Sequence, residues 1–286
     1  MKLFHVLVLA AALLFMGPGR AGASQPSPGS GNLGLTIMGG YNGSYMYYKE
    51  VENGGIMDRD YGYFNGIHTE MRLESRTLWS RLTADYSWTK NATYDGSIQY
   101  LNGQTIPYKS STNERVNLYE GDIGYKAVNE STATLTPYVG LGYRIWWRGA
   151  DTAMDYVEKY TWYYGAAGLN YVWRLDRFTA GADVAAHIPF SMKMTTNING
   201  QYDETVFNLK TMVGFGAQLP LTYDIYSNHS GSARLLLFLT PYYQYWPVGG
   251  SDVLVLTNNG VPSTVAHEPD SRTGIYGADA GIGVNF

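Results

Sequence analysis

The sequence predicts an all-β fold, a transmembrane up-and-down antiparallel β-barrel of about ten strands. Three observations carry that expectation. The first is residues 133–148, where Leu135, Val139, Leu141, Tyr143, Ile145 and Trp147 alternate with Thr134, Thr136, Tyr138, Gly140, Gly142, Arg144, Trp146 and Arg148. Side chains alternate across a strand, so one face is apolar and the other small, polar or charged. Lipid on one side and a hydrated or ion-paired lumen on the other require that pattern. The second observation is that the pattern recurs along the chain. The third is composition: 34 Gly and 26 Tyr among 286 residues, with 15% charged residues and no apolar run long enough for a helix, which needs roughly 20 residues to span a bilayer.

In chain order, Met1-Lys2 and the apolar run 3–16 are followed by Gly17-Pro18-Gly19 and Ala21-Gly22-Ala23. This is a positive n-region, an apolar h-region and a small-x-small site, so residues 1–23 are expected to be an export signal cleaved near Ala23. Loss of the two cations Lys2 and Arg20 takes the formal charge from −4 to −6. Residues 24–32, rich in Ser, Pro and Gly, form a flexible periplasmic leader. The barrel domain is expected over 33–286. Its first strand, 33–49, sets Leu35, Ile37, Tyr41 and Tyr45 outward. A loop over 50–61 leads to a second strand ending near Ser75, with Ile67, Met71 and Leu73 against His68, Glu70, Arg72 and Glu74. The third strand, 78–90, opposes Leu82, Tyr86 and Trp88 to Arg81 and Asp85. After a polar loop over 91–113, the fourth, 115–127, opposes Tyr119, Ile123 and Tyr125 to Glu120, Asp122 and Lys126.

The fifth strand is 133–148. The sixth, 157–173, and the seventh, 178–194, continue the alternation, with Asp183 and His187 inward. The eighth, 204–222, places Phe207, Leu209, Val213 and Phe215 outward and Asn208, Lys210 and Met212 inward. The ninth, 233–246, and the tenth, 271–286, complete the set, the last with Tyr276, Ile282, Val284 and Phe286 outward and Asp279 inward. Connections at 75–77, 128–131 and 174–177 are short, whereas those at 91–113 and 248–270 are long. That asymmetry separates periplasmic turns from outer loops. An unpaired strand edge cannot sit in lipid, so the sheet must close. Eight or twelve strands are the alternative counts.

The chain contains no cysteine, which excludes disulfides, thiolate metal sites and a cysteine nucleophile. A charge of −4 offers no basic footprint for nucleic acid. Phosphate-cradling, serine-hydrolase and zinc-protease motifs are absent from the sequence. No cofactor, metal or catalytic residue is therefore expected. Inward charges include Glu70, Arg72, Arg81, Asp85, Glu120, Asp122, Arg144, Arg148, Asp183 and His187. Unpaired charges in a narrow lumen are costly, so these are expected to form an ion-pair network that largely plugs it. Arg144 and Arg148 are assigned to Glu120, Asp122 or Glu158. Asp58 and Asp60 in the first loop, with His267 and Asp270 in the last, make a possible rim cation site through oxygen ligands and one imidazole. The alternative there is a solvated acidic rim. Tyr47, Tyr48, Trp88, Trp146, Trp147, Trp162, Tyr245 and Trp246 are expected as an interfacial aromatic belt.

The final strand, Gly281-Ile282-Gly283-Val284-Asn285-Phe286, resembles the C-terminal assembly signal of bacterial outer-membrane barrels, with Phe286 as its terminal aromatic. With the export signal, the alternation and the strand count, the chain is similar to small monomeric barrels such as the omptins and the Opc-type adhesins. That resemblance implies a location in the cell outer membrane. It also implies contact with outer-membrane lipid and lipopolysaccharide, and recognition by the barrel-assembly machinery. Omptins are proteases whose paired carboxylates and Asp–His couple lie on the second and fourth outer loops. Here the second loop offers a lone Asp95 and the fourth Asp203 without a histidine. Asp183 and His187 are four residues apart on one strand, roughly 13 Å. The omptin catalytic pattern is not matched. The leading expectation is a non-enzymatic surface, structural or adhesion-type barrel, with an extracellular ligand that no motif names. A narrow porin-like channel is the alternative, and an omptin-like surface protease a second.

Overall fold

The computed structural model describes residues 33–99, 105–149, 156–197, 200–228 and 233–286. The expected signal peptide and leader lie outside these residues. The described chain forms β1 (Gly34–Glu52), β2 (Gly55–Glu74), β3 (Leu78–Gln99), β4 (Thr105–Tyr125), β5 (Val128–Asn129), β6 (Ala133–Arg148), β7 (Glu158–Leu175) and β8 (Phe178–Thr196). It continues as β9 (Thr205–Thr211), β10 (Gly214–Gln218), β11 (Leu221–Ser227), β12 (Arg234–Ser251), β13 (Leu254–Asn258), β14 (Val261–Ala266) and β15 (Asp270–Asn285). Antiparallel pairing runs β1–β2–β3–β4–β6–β7–β8, then through β9, β10 and β11 to β12, and on to β15. β15 pairs back along β1 from Thr36↔Asn285 to Val51↔Asp270, which closes the barrel. Leu35 and Phe286 exchange backbone hydrogen bonds at the end of that seam. With β9, β10 and β11 counted as one interrupted wall, the barrel has ten walls, as the alternation predicts.

The parity read on residues 133–148 holds in three dimensions. Val139 and Leu141 are 59% and 69% exposed, while Thr136, Tyr138, Arg144 and Trp146 are buried inside. An outer tyrosine belt marks the upper edge of the apolar surface. Tyr45 lies opposite Tyr63 and Tyr276 in register, with ring centroids 5.0 and 5.3 Å apart. Tyr143 stacks on Tyr163 at 4.5 Å. The stretch from Leu35 to Tyr45 matches the roughly 9–11 residues a tilted strand needs to cross lipid. β1 continues beyond it to Glu52.

That extension corrects the predicted loops. Residues 50–61 are not a loop. Asn53 and Gly54 both have positive φ (49° and 79°), the geometry of a tight hairpin turn that matches strand twist. β1 and β2 therefore stay paired to Glu52↔Gly55. Residues 91–99 and 105–113 likewise extend β3 and β4 far above the belt. Asn259 and Gly260 (φ 50° and 75°) turn a separate hairpin, β13–β14, inside the last connection.

The predicted alternation of 204–222 breaks at Met212 and Val213, both exposed. Above this break Phe207 and Leu209 face inward and Lys210 outward; below it Val213 and Phe215 face outward. One extra residue in a strand reverses every side chain beyond it. β8 shifts register against β7 near Phe190, so two adjacent walls change parity in their outer parts. The predicted belt needs the same kind of correction. Tyr48, Trp146, Trp162 and Trp246 point inward and are at most 2% exposed, whereas Tyr47, Trp88, Trp147 and Tyr245 keep partial exposure on the wall.

Candidate functional site in the lumen

The inward side chains stack in layers. At the periplasmic mouth Lys126 binds Glu74 at 2.7 Å and Arg72 pairs with Glu70 beside an open recess of about 420 Å³. The next layer centres on Arg81 of β3. Its Nε donates to Asp122 at 2.8 Å and its Nη1 to Asp183 at 2.9 Å, with Glu120 at 3.7 Å. Asp183 also accepts from the Tyr138 hydroxyl at 2.6 Å and from the Asn170 amide at 3.1 Å, while the guanidinium lies against the Trp79 and Tyr138 rings. Two bare backbone positions make room for this layer. A Cβ at Gly140 would strike the Asp122 carboxylate, and one at Gly142 would strike the Tyr164 ring.

Beside it, His68 Nδ1 lies 2.6 Å from Asp85 and 3.6 Å from Asp279. A closed cavity of about 40 Å³ is lined by these three residues together with Glu120, His187 and Tyr242.

Above comes an aromatic layer. Trp162 and Trp246 meet edge to face at 5.8 Å, and Tyr164 meets Trp246 at 5.1 Å. Arg144 is fully buried here with its carbon Cζ 4.7 Å from the Trp162 ring centre and 5.1 Å from that of Trp246. Among the described residues none of its three guanidinium nitrogens has a hydrogen-bond acceptor. The expected pairing of Arg144 with a carboxylate is therefore corrected. The nearest acidic residue in sequence register, Glu120, accepts from Tyr164 at 2.8 Å instead. His187 is also held chiefly by aromatic contact, its ring stacked 4.5 Å above Trp246, with Glu120 no nearer than 3.7 Å.

Above the belt the lumen is acidic. Arg148 of β6 reaches Glu50 (2.7 Å), Glu158 (2.8 Å) and Asp58 (3.0 Å), and its Nε donates to Asp60. Its guanidinium also faces the Tyr48 ring at 4.5 Å. Glu114 accepts from Trp146 at 2.8 Å, and the Tyr160 hydroxyl lies within hydrogen-bond reach of both Glu158 and Glu268. Burial pushes Glu50 and Glu114 up to about 8, and it raises Glu158 and Glu268 as well. One cation thus serves an acidic chamber in which some carboxyl groups stay protonated at neutral pH. The outer wall at this level carries a row of cations: Lys49 lies directly opposite Arg59 on β2 and Arg272 on β15, and Asp95 of β3 lies opposite Arg59.

The four residues of the expected rim cation site are not brought together. Asp58 and Asp60 turn into the lumen onto Arg148. His267 binds Glu52 at 2.9 Å on the exposed surface, and Asp270 accepts from the Gly250 backbone at 2.6 Å. β1 and β2 run through the supposed loop, and strand parity, not rim position, decides where these side chains point. Of the omptin-type candidates, Asp203 caps the β13–β14 turn through Thr257, Asn259 and Gly260. The sequence reading missed Glu50, Glu114 and Glu268. The Asn53-Gly54 dipeptide was the available signal for the first, because a two-residue hairpin turn keeps the strands, and their alternation, running up to it.

Together, the closed ten-walled antiparallel sheet, its apolar outer band and its layered interior define the fold of an outer-membrane β-barrel. A known structure agrees. The outer membrane protease OmpT from Escherichia coli superimposes with a TM-score of 0.60 at 12% identity, covering 91% of this chain and 99% of that one. OprG from Pseudomonas aeruginosa covers 91% of this chain and 99% of its own at 11% identity, with a TM-score of 0.38. No protein-family model and no curated protein sequence matches the chain.

Proposed function

We propose that the protein is a sealed outer-membrane barrel that acts through its surface, as a non-enzymatic structural or adhesion-type protein. The observation that carries this reading is the aromatic layer. Trp146, Trp162, Trp246, Tyr48, Tyr160 and Tyr164 fill the lumen at and above the outer belt, each at most 2% exposed. Beneath it the described polar layers hold small cavities of about 20 to 40 Å³, and the wider recess of about 420 Å³ lies at the periplasmic mouth. What projects outward is the paired extension of β1–β2 and β3–β4 and the β13–β14 hairpin, which exposes Val255 opposite Val265. Refolded protein in a planar bilayer is expected to show no steady conductance. A stable open level would replace this reading with the narrow-channel alternative. Protease activity does not carry over from OmpT at this identity, and the outer carboxylates are tied to Arg148 and Tyr160. Clear cleavage of a fluorogenic peptide would overturn the non-enzymatic reading.

The outer wall supplies a partner class. Like charges directly opposite on neighbouring strands repel, yet Lys49, Arg59 and Arg272 sit side by side with no salt bridge to a described carboxylate. Phosphate-bearing headgroups of the outer leaflet, lipopolysaccharide among them, would neutralise this row just above the tyrosine belt. Lipopolysaccharide is expected to raise the melting temperature of the wild type and not of a Lys49→Ala/Arg59→Ala/Arg272→Ala variant. Equal stabilisation of both would remove this assignment. The barrel enters the membrane through the assembly machinery, with Phe286 at its end as the recognised aromatic, and functions as a monomer.

A further inference from the structure

We propose that His68, Asp85 and Asp279 form a binding site for a divalent transition-metal ion of the zinc class, enclosed in the membrane-level lumen. One ligand atom from each of the three lies within 4.8 Å of the others. Strand geometry creates this convergence. His68 on β2 is directly opposite Asp85 on β3, while Asp279 approaches from β15 across β1. On β1 the residue opposite both His68 and Gly281 is Gly40, so no side chain stands between His68 and Asp279.

Three further features support a ligand there. Asp279 is already oriented from behind, because Asn42 donates to its Oδ1 at 2.6 Å and leaves Oδ2 aimed at His68. Asn42 is itself fixed by Ser87 at 3.0 Å and also donates to Tyr242 at 2.8 Å. Outer-shell hydrogen bonds of this kind hold metal ligands in place. Second, the closed cavity of about 40 Å³ borders all three residues, and another of about 30 Å³ borders Asp85. Since one water needs about 10–15 Å³, these spaces have room for the water ligands that three protein ligands leave wanting. Third, the charges at this depth do not balance. Glu70, Asp85, Glu120, Asp122, Asp183 and Asp279 face Arg72, Arg81 and His68. A sealed surplus of carboxylates requires protons or a cation. One imidazole nitrogen with two carboxylate oxygens suits zinc-class ions, whereas calcium and magnesium favour all-oxygen sites. Binding would replace the His68–Asp85 hydrogen bond with two metal–ligand bonds and release the proton between them.

The site lies inside the barrel, so the ion is supplied during refolding. Full-length protein would be refolded in detergent with Zn²⁺, freed of loose metal with EDTA and gel filtration, and assayed for metal content. The expected result is one zinc per chain, retained against EDTA until the barrel is unfolded. A melting temperature more than about 5 °C above that of protein refolded without metal is also expected. Cobalt in place of zinc would show visible absorption of a low-coordinate nitrogen–oxygen site. His68→Gln and Asp279→Asn variants that still shift on heat-modifiability gels would retain less than a tenth of that metal. A His267→Ala variant, which removes an exposed histidine, would retain all of it. Wild-type metal below a tenth per chain, or full retention in the His68→Gln variant, overturns the site. The wild-type measurement decides the matter even if the variants fail to fold.

Discussion

Arg81 and Arg148 are both enclosed among carboxylates, but the two halves of the barrel surround them differently. Around Arg81, at membrane depth, the walls are thin. Gly140 and Gly142 leave the space that Asp122 and Tyr164 occupy, and the polar groups bond to one another over short distances. Around Arg148, beyond the belt, the walls carry large inward rings, and the acids outnumber the one cation. In lipid the lower half cannot expose a charge outward, so its charges face one another within the lumen. In water the outer half can place cations on the outside, as Lys49, Arg59 and Arg272 show, while Glu50, Asp58, Asp60 and Glu158 gather inside around Arg148. The same alternating strand therefore encodes an ion-paired plug at one depth and a charge-segregated shell at another.

The strongest way to break the outer half is Arg148→Met. It leaves Glu50, Asp58, Asp60 and Glu158 without their cation, and losing one partner of a buried pair costs about 3–5 kcal/mol. Thermal unfolding in micelles should fall accordingly, and limited proteolysis should cut near residues 50–60 while the membrane portion stays protected. Gly142→Ala tests the lower half. Its Cβ displaces Tyr164 from Glu120, an overpacking worth about 1–3 kcal/mol, visible as a lower melting temperature with no new proteolytic site. Next is pH. Glu50 and Glu114 sit at about 8 in the folded protein and near 4.3 when unfolded. The stability they contribute is full below about pH 4 and is lost as pH rises through 8. Melting temperatures measured from pH 5 to 9 should fall with rising pH, and Glu114→Gln should flatten the slope. The smallest effect is expected for Arg144→Met. This guanidinium has no acceptor, so an apolar chain of similar length between Trp162 and Trp246 should change stability by about 1 kcal/mol or less. A loss as large as that of Arg148→Met would show that Arg144 has a partner and erase the contrast between the two arginines.

Strand number, closure and the inward set of β6 were legible because alternation is a local, two-residue signal. What was not legible depends on where that signal slips. A single irregularity at Met212–Val213 turned Phe207 and Leu209 inward and Lys210 outward. Trp146, Trp162 and Trp246 sit near strand ends, where rings favour the headgroup region, and only parity relative to the closed barrel shows that they fill the lumen. The partners of Arg148 come from β1, β2 and β7, and Asp279 meets His68 across an intervening strand. Such pairings depend on curvature and shear, which no sequence window contains.

Arg148 ties β6 and β7 to β1 and β2 on the far side of the mouth. A ring braced across its diameter resists opening, so the described part of the rim is held as a preorganised platform. A partner that lands on it meets its final shape at first encounter and spends little conformational entropy on fitting it. Affinity for such a surface should therefore respond to dissociation rate far more than to association rate, and loosening the clamp should reverse that dependence.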